Sequence, residues 1–315
     1  FQRALADNDW SQLHHNLGAA FLAAGQADSA AVHFQKAHEA DPGDRESMMG
    51  LARSLIQAQR LQQAQLLLHR SLGRTPDDTA VRQLLALSQV GLGQDDEALA
   101  SYQRAGLSVA EAHLRIGELA RQRHDWRRAR DHFEMGLVVA PENANLLDGL
   151  GTVSIAEGDW NEALELFRRA AREDGGLASA FRNIGLVNLH HRRPSEALAA
   201  LNRARDLDSA DGKVWELLAR AQGMSGRPSE AMAAYRRAIE LLPERAMLYR
   251  SLGQLHEDNG QLSEAEKLYR EAIQRDPENI QSLNSLGHLL LTLERWSEGA
   301  RTLERLLQKE PASTD

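Results

Sequence analysis

Apolar and small residues recur along this chain in a helical rhythm, and the rhythm itself repeats every ~34 residues. Its fullest statement lies between Tyr249 and Pro277. A first segment carries Tyr249, Leu252, Gly253 and His256; Gly260 interrupts; a second carries Ala265, Tyr269 and Ala272 before Pro277. Each piece of the pattern has a physical reading. Large residues such as Tyr249 pack where one unit meets the next. Gly253 and Ala265 mark points where two helices cross, because only a small side chain lets their backbones approach. Pro277 ends the second helix, since it has no N–H to give and clashes with the preceding turn.

These spacings match aromatic-x₂-Leu-Gly-x₂-aromatic, then Ala-x₃-Phe, then Pro, the signature of the tetratricopeptide repeat, with His256 where an aromatic is expected. The chain therefore resembles the tetratricopeptide-repeat (TPR) family. The resemblance implies an all-α, right-handed α-solenoid with two antiparallel helices per unit. Aligning the Gly and Ala positions gives nine units, residues 11–44, 45–78, 79–109, 110–143, 144–177, 178–211, 212–245, 246–279 and 280–313. Residues 1–10 precede them as the second helix of a truncated half unit, with Phe1 and Ala4 in the aromatic and Ala positions. On this reading the array starts upstream, and the N-terminus without Met belongs to a cut or processed chain. Unit 79–109 is three residues short and lacks its Pro. Gly106 caps its second helix and Ser108 starts the next, which predicts a tighter inter-unit turn or a neutral loop deletion.

Turn chemistry agrees with this register. Gly25, Gly93, Gly158, Gly226 and Gly260 end first helices, where glycine takes the left-handed cap without strain. Asp96, Asn161, Ser195, Ser229, Ser263 and Ser297 follow as N-cap candidates, each with a Glu behind it that the helix dipole favours. Trp126, Trp160 and Trp296 open second helices; they cover the turn between helices or, on a sharper reading, anchor a partner. The last helix presents Leu303, Leu306 and Leu307, and the chain ends soon after Pro311. Residual apolar surface and end-to-end self-association are expected there.

Charge narrows the choice of partner. With 37 basic against 45 acidic residues, a formal net charge of −8, the chain lacks the basic surface that nucleic acid requires. No apolar run reaches the ~18 residues that mark a membrane span. Zero cysteine rules out disulfides and thiolate metal sites, and suits the cytoplasm, the favoured compartment, as well as the periplasm. The Ala-, Leu- and Arg-rich composition points to a bacterial source. Catalytic patterns are missing. His256-Glu257 lacks a second His at the right spacing, and Gly91-Leu-Gly93 lacks the Lys and Ser/Thr of a phosphate loop. The adjacent His14-His15 and His190-His191 project ~100° apart on a helix and chelate poorly. Asp95-Asp96-Glu97 reads as a helix start. No reaction, cofactor or metal is expected within these residues.

The informative surface is the face of each first helix turned away from its packing positions, which the family resemblance places in a concave groove that seats peptides. Helical spacing puts Arg182, Asn183 and His190 there, followed by Lys213, Glu216 and Arg220, then Arg250, Ser251, Gln254 and Asp258, then Gln281, Asn284 and His288. Units 11–109 offer Leu22, Met49, Ile56, Leu84, Leu87 and Val90 instead. The groove therefore reads as apolar early and polar, locally basic, late. The family's carboxylate clamp for chaperone tails needs a Lys/Asn, Asn, Lys/Arg set in successive units, and no three units supply it. The asparagine ladder of O-linked N-acetylglucosamine transferase arms needs Asn at the positions of Asn16 and Asn183, and most units lack it. The main expectation is a non-enzymatic scaffold that binds a protein or peptide partner, with Arg182, Lys213, Arg220 and Arg250 taking acidic groups. Two alternatives stand beside it: the substrate-recruiting arm of a larger glycosyltransferase, sulfotransferase or hydroxylase, and a scaffold that self-assembles through open ends.

Overall fold

The computed structural model describes residues 2–307, which form eighteen α-helices and no strand. Two compact units divide the chain, residues 1–153 and 154–315. In the first, α1 (Gln2–Ala23) packs on α2 (Ala27–Ala40) and α3 (Arg45–Gln57) on α4 (Leu61–Arg74). α5 (Thr79–Leu92) then pairs with α6 (Asp95–Arg104) and α7 (Val109–Gln122) with α8 (Trp126–Val139), and α9 (Ala144–Glu157) follows. The second unit holds α10 (Trp160–Glu173) and four hairpins. These are α11 (Ala178–His190) with α12 (Pro194–Leu207), α13 (Gly212–Met224) with α14 (Pro228–Leu241), α15 (Ala246–Asp258) with α16 (Leu262–Arg275), and α17 (Ile280–Thr292) with α18 (Trp296–Leu307). Within each unit the first helices of neighbouring hairpins touch, α1 with α3 and α3 with α5, α11 with α13 and α15 with α17. Second helices do not meet to a comparable extent. First helices therefore line the inner face of each stack and second helices the outer face. No described helix is long and apolar enough to cross a membrane.

Small side chains set the approach of the paired helices. A Cβ added at Gly253 would lie 2.7 Å from the Tyr269 ring, closer than any real contact. Tyr269 is fully buried there, between Ala265 and Ala272 on the same face of α16. The equivalent pair in the first unit, Gly117 against Phe133, would meet at 2.6 Å. Burying one such ring contributes roughly 2–3 kcal/mol, and a side chain at the glycine would displace it.

Every hairpin turn places one residue in the left-handed region. Gly25, Gly93, Gly158, Gly226 and Gly260 have φ between 70° and 89°, and Gln59, His124, Arg192 and Glu294 occupy the same turn position at φ 57–60°. The glycines were legible as caps. The four non-glycine turns were not, because nothing in those side chains announces a positive φ.

Three local expectations are corrected. Asp96, Asn161, Ser195, Ser229, Ser263 and Ser297 are not N-caps; they lie one residue inside helices that begin at Asp95, Trp160, Pro194, Pro228, Leu262 and Trp296. Proline fixes φ at a value suited to the first helical position, which starts α12 and α14 one residue earlier than the serine. The Glu one residue further on does sit in the first turn, as with Glu196 and Glu264. Side-chain caps occur chiefly on first helices instead: Asp44, Asp78, Ser108, Asp211 and Asn279 accept backbone N–H groups of α3, α5, α7, α13 and α17. In the short unit, Gly106 has φ 94° and Ser108 forms a capping box with Glu111. The missing residues shorten α6 itself to ten residues, whereas α4 has fourteen, so the inter-unit turn is not tightened. At the N-terminus α1 runs without a break from Gln2 to Ala23, merging the stretch expected as a separate second helix with the first helix after it. The roles expected of Phe1 and Pro311, and of the side chains of Ala4, Leu306 and Leu307, lie outside the described residues.

Candidate functional site

One position on the inner face recurs through both units. In the first it carries His15, Met49, Gln83, Leu114 and Asp148; in the second, Arg182, Glu216, Arg250 and Asn284. At Arg182 and Glu216 the fold supplies an opposite charge twenty-nine residues on, at the N-cap of the next first helix, whereas Asp148 has the apolar Leu177 at that offset. Arg182 reaches Asp211 at 2.6 Å and Glu216 reaches Arg245 at 2.9 Å. His15 lies 3.8 Å from Asp44 and bonds Ser47 at 2.9 Å. These contacts staple one hairpin to the next. Arg182 and Glu216 are thus corrected from free groove residues to staples. Glu216 is only 6% exposed, and burial pushes its carboxyl above the usual range although Arg245, Arg220 and Lys213 all oppose the shift.

Arg250 also has no opposite charge at that offset. Its counterpart at the next N-cap is Asn279, a neutral side chain already engaged in capping α17 through Ser282. The Arg250 Nε is buried with no hydrogen-bond partner among the described residues. Exposed Arg220 from α13 shares its surroundings: both guanidinium groups act on the buried phenol of Tyr235, which bonds Ser251. Burial raises that phenol above its ordinary pKa, and the two arginines pull the other way. Lys213, Gln254, Asn284 and His288 are exposed on the same first helices, with the Gln254 amide donating to Asp258 at 3.0 Å. Tyr269 comes through from α16 and donates to Glu257 at 2.6 Å. The result is a cationic patch on α13 and α15 with neutral polar groups on α17. Asn183 is buried, so its amide is not offered to the groove.

The early groove differs from expectation. Met49 and Val90 are buried, and Leu22, Ile56, Leu84 and Leu87 are half-buried. All but Val90 and Leu87 belong to the core formed by α1 to α5. The apolar face read from the sequence is largely inter-helix packing. Histidines that looked scattered are paired instead. His14 and His33 meet through their Nδ1 atoms at 2.9 Å, and His113 and His132, ninety-nine residues on, repeat the contact at 3.0 Å. His132 Nε2 continues to Asp95 at 3.1 Å, and Asp95 also binds Arg128. Burial opposes ionisation of Asp95, but Arg128 and His132 outweigh it and hold the carboxyl below its usual range. Burial, then His132, lowers the pKa of His113. Among the described residues no three His, Asp or Glu side chains converge as metal ligands.

The tryptophans divide. Trp160 stacks on His190 at 3.7 Å and is half-buried, the covering role; Trp296 is 62% exposed. Exposed apolar surface also lies at α1, where Trp10, Leu13 and Leu17 are 59%, 48% and 36% exposed. Leu303 of α18 packs inward against Gly287.

A solved structure from the functional characterisation of Pseudomonas aeruginosa pilF covers 65% of this chain and 93% of its own, at 21% identity and a TM-score of 0.59. The Cut9–Hcn1 assembly of the APC/C covers 84% of this chain and 52% of that one, at 13% identity and a TM-score of 0.59. A MamA structure is 25% identical over 54% of this chain and 92% of its own, with a TM-score of 0.47. Among curated proteins, no sequence matches. Tetratricopeptide-repeat family models match residues 21–88 and 256–315, and residues 114–178, 149–212 and 216–280. Together with the hairpins, the buried alanines and the glycine crossings, these matches show that the chain belongs to the tetratricopeptide-repeat family.

Proposed function

We propose that this chain is a non-catalytic scaffold whose inner face, across α13, α15 and α17, binds an acidic peptide segment of a partner protein. The carrying observation is Arg250: at a position where Arg182 and Glu216 each pair with an opposite charge, the corresponding N-cap is the neutral Asn279, and the buried Arg250 Nε has no hydrogen-bond partner among the described residues. A ligand carboxylate would complete this staple in a charge-assisted hydrogen bond, with Arg220 and Lys213 adding attraction and on-rate. Gln254, Asn284 and His288 would bond the ligand backbone. Binding on a preformed face orders few protein groups, which limits its entropic penalty. The test is pull-down with cross-linking mass spectrometry on wild type and the Arg220→Glu/Arg250→Glu variant. Loss of partner capture with an unchanged circular dichroism spectrum is expected; unchanged capture would sink the assignment.

A second reading rests on α1. Trp10, Leu13 and Leu17 form an exposed stripe at helical spacing, and such a stripe supports association with another copy. Light scattering across a concentration series tests it, and a strict monomer at high concentration counts against it.

A further inference from the structure

The outer side of the first unit carries a second feature, independent of the inner-face reading. α2 and α4, both second helices, stand side by side, and a trough of about 690 Å³ opens between them. Its floor comes from α3: Met48, Leu51 and Leu55, spaced along one helix face and none more than 6% exposed. Leu66, 55% exposed on α4, extends this apolar surface toward the rim. A volume of this order takes a bulky side chain together with the peptide backbone on either side of it.

The rim has its charges unevenly matched. Arg45 is held by Asp78 through contacts of 2.8 and 2.9 Å. Asp44 and Asp78 cap α3 and α5, and Glu39 receives the Gln35 amide at 2.8 Å. Arg60 stands 4.0 Å from Asp28. Arg70 and Arg74, four residues apart on one face of α4, are exposed and have no partner in any ion pair or hydrogen bond among the described residues. On the α2 side, the buried Nδ1 of His38 lacks a hydrogen-bond partner. The unmatched rim charge is therefore positive, in a chain whose net charge is −8. An apolar floor beside two unmatched guanidinium groups is complementary to a ligand that is apolar at one point and anionic beside it. The trough is open along its outer side and walled by helices on both flanks, which suits a chain lying lengthwise.

We propose that this trough is a second docking site, for an acidic peptide segment of a partner protein. A Leu, Ile or Phe of that segment packs on Met48, Leu51 and Leu55, and a neighbouring Asp or Glu engages Arg70 and Arg74. A scaffold with one acidic site on its inner face and another on its outer face holds two segments at once.

The probe is a pool of fluorescein-labelled nonapeptides with central Leu, Ile or Phe and Asp or Glu on both flanks, followed by fluorescence anisotropy. In the Arg220→Glu/Arg250→Glu background, which removes inner-face binding, the chain is expected to bind the pool with Kd below ~100 µM, and adding Arg70→Glu/Arg74→Glu to weaken it by about tenfold or more. Ser71→Trp, which fills the trough from α4, is expected to do the same in that background. Thermal midpoints of all variants confirm folding. In that background, a matched pool with Gln and Asn in place of the acids that binds equally well, or binding that survives the Arg70/Arg74 reversal, overturns the proposal. So does binding lost only in the inner-face variant. Decanoate that binds at the trough while the peptide pool does not would assign it to a small anionic amphiphile instead.

Discussion

The recurring inner-face position differs between the two units in a way that separates structural charges from available ones. In residues 1–153 it carries His15, Met49, Gln83, Leu114 and Asp148, with no arginine or lysine among them. In residues 154–315 it carries Arg182, Glu216 and Arg250, of which only the last lacks an opposite charge. The first unit has two unmatched arginines on its outer side, Arg70 and Arg74, and pairs Arg128 with Asp95. A charged residue on an exposed helix face is thus a poor guide to binding until its partner twenty-nine residues on is known. What remains after those pairs are drawn marks the surface free to meet another molecule.

The largest effect expected from this contrast comes from breaking a staple that is partly buried. Asp95→Ala leaves Arg128 and the buried His132 without their carboxylate, and should destabilise the first unit by about 3 kcal/mol. Asp211→Ala frees a more exposed Arg182, whose side chain is 27% accessible, and should take away only about 1 kcal/mol, part of it the lost cap of α13. Hydrogen exchange read peptide by peptide distinguishes the two. Equal losses would show that burial of the partner does not control the penalty.

The same probe across pH separates the units by sign. The pKa of His113 is lowered in the fold, so its contribution to stability is present above the ordinary histidine value of ~6.5 and is lost as pH falls. Asp95, also lowered, adds a further loss below ~4. Glu216 is raised, so its contribution is present at low pH and is lost as pH rises through its folded value. Acidification from pH 7 to 5 should therefore weaken protection around α7 and α8 while protection around α13 holds or improves. Parallel losses in both regions would contradict these assignments.

Asn279→Asp alters the contrast without touching an arginine. It gives Arg250 the opposite charge that Arg182 already has, keeps a capping side chain on α17, and should weaken an acidic ligand about tenfold, ~1.4 kcal/mol, in a titration. The folded state should gain ~0.5 kcal/mol from the new pair. An unchanged affinity would mean that Arg250 is not where the ligand carboxylate sits.

Much of the fold could be read from the sequence because its determinants are steric and local. Gly253 and Ala265 must be small, Pro277 must end a helix, and Gly260 must turn left-handed. The candidate site was legible only in part. Helical spacing places Arg220 and Arg250 on the inner face of their helices, but Arg182 and Glu216 lie on that face too and pair with Asp211 and Arg245. A search for opposite charges at the twenty-nine-residue offset would have found both pairs. The outer trough has no such signal, since Met48, Leu51 and Leu55 are ordinary core positions in sequence and only the spacing of α2 and α4 leaves room above them.

The smallest expected effect concerns the turns. Gln59 and His124 in the first unit, and Arg192 and Glu294 in the second, hold φ of 57–60° where their five counterparts are glycine. A left-handed conformation is unfavourable by roughly 1–2 kcal/mol for such residues, while glycine loses ~0.5–1 kcal/mol more chain entropy on folding. The difference leaves a net gain of about 0.5 kcal/mol for each change to glycine. Because the turn geometry is the same in both units, His124→Gly and Arg192→Gly should raise the denaturation midpoint alike, unlike the staple and pH experiments. His124 also meets Trp126 edge-on at 5.2 Å, a contact that glycine removes, so any shortfall should appear there and not at Arg192. A loss of stability at Arg192→Gly, measured by urea denaturation, would mean that those turns are not strained.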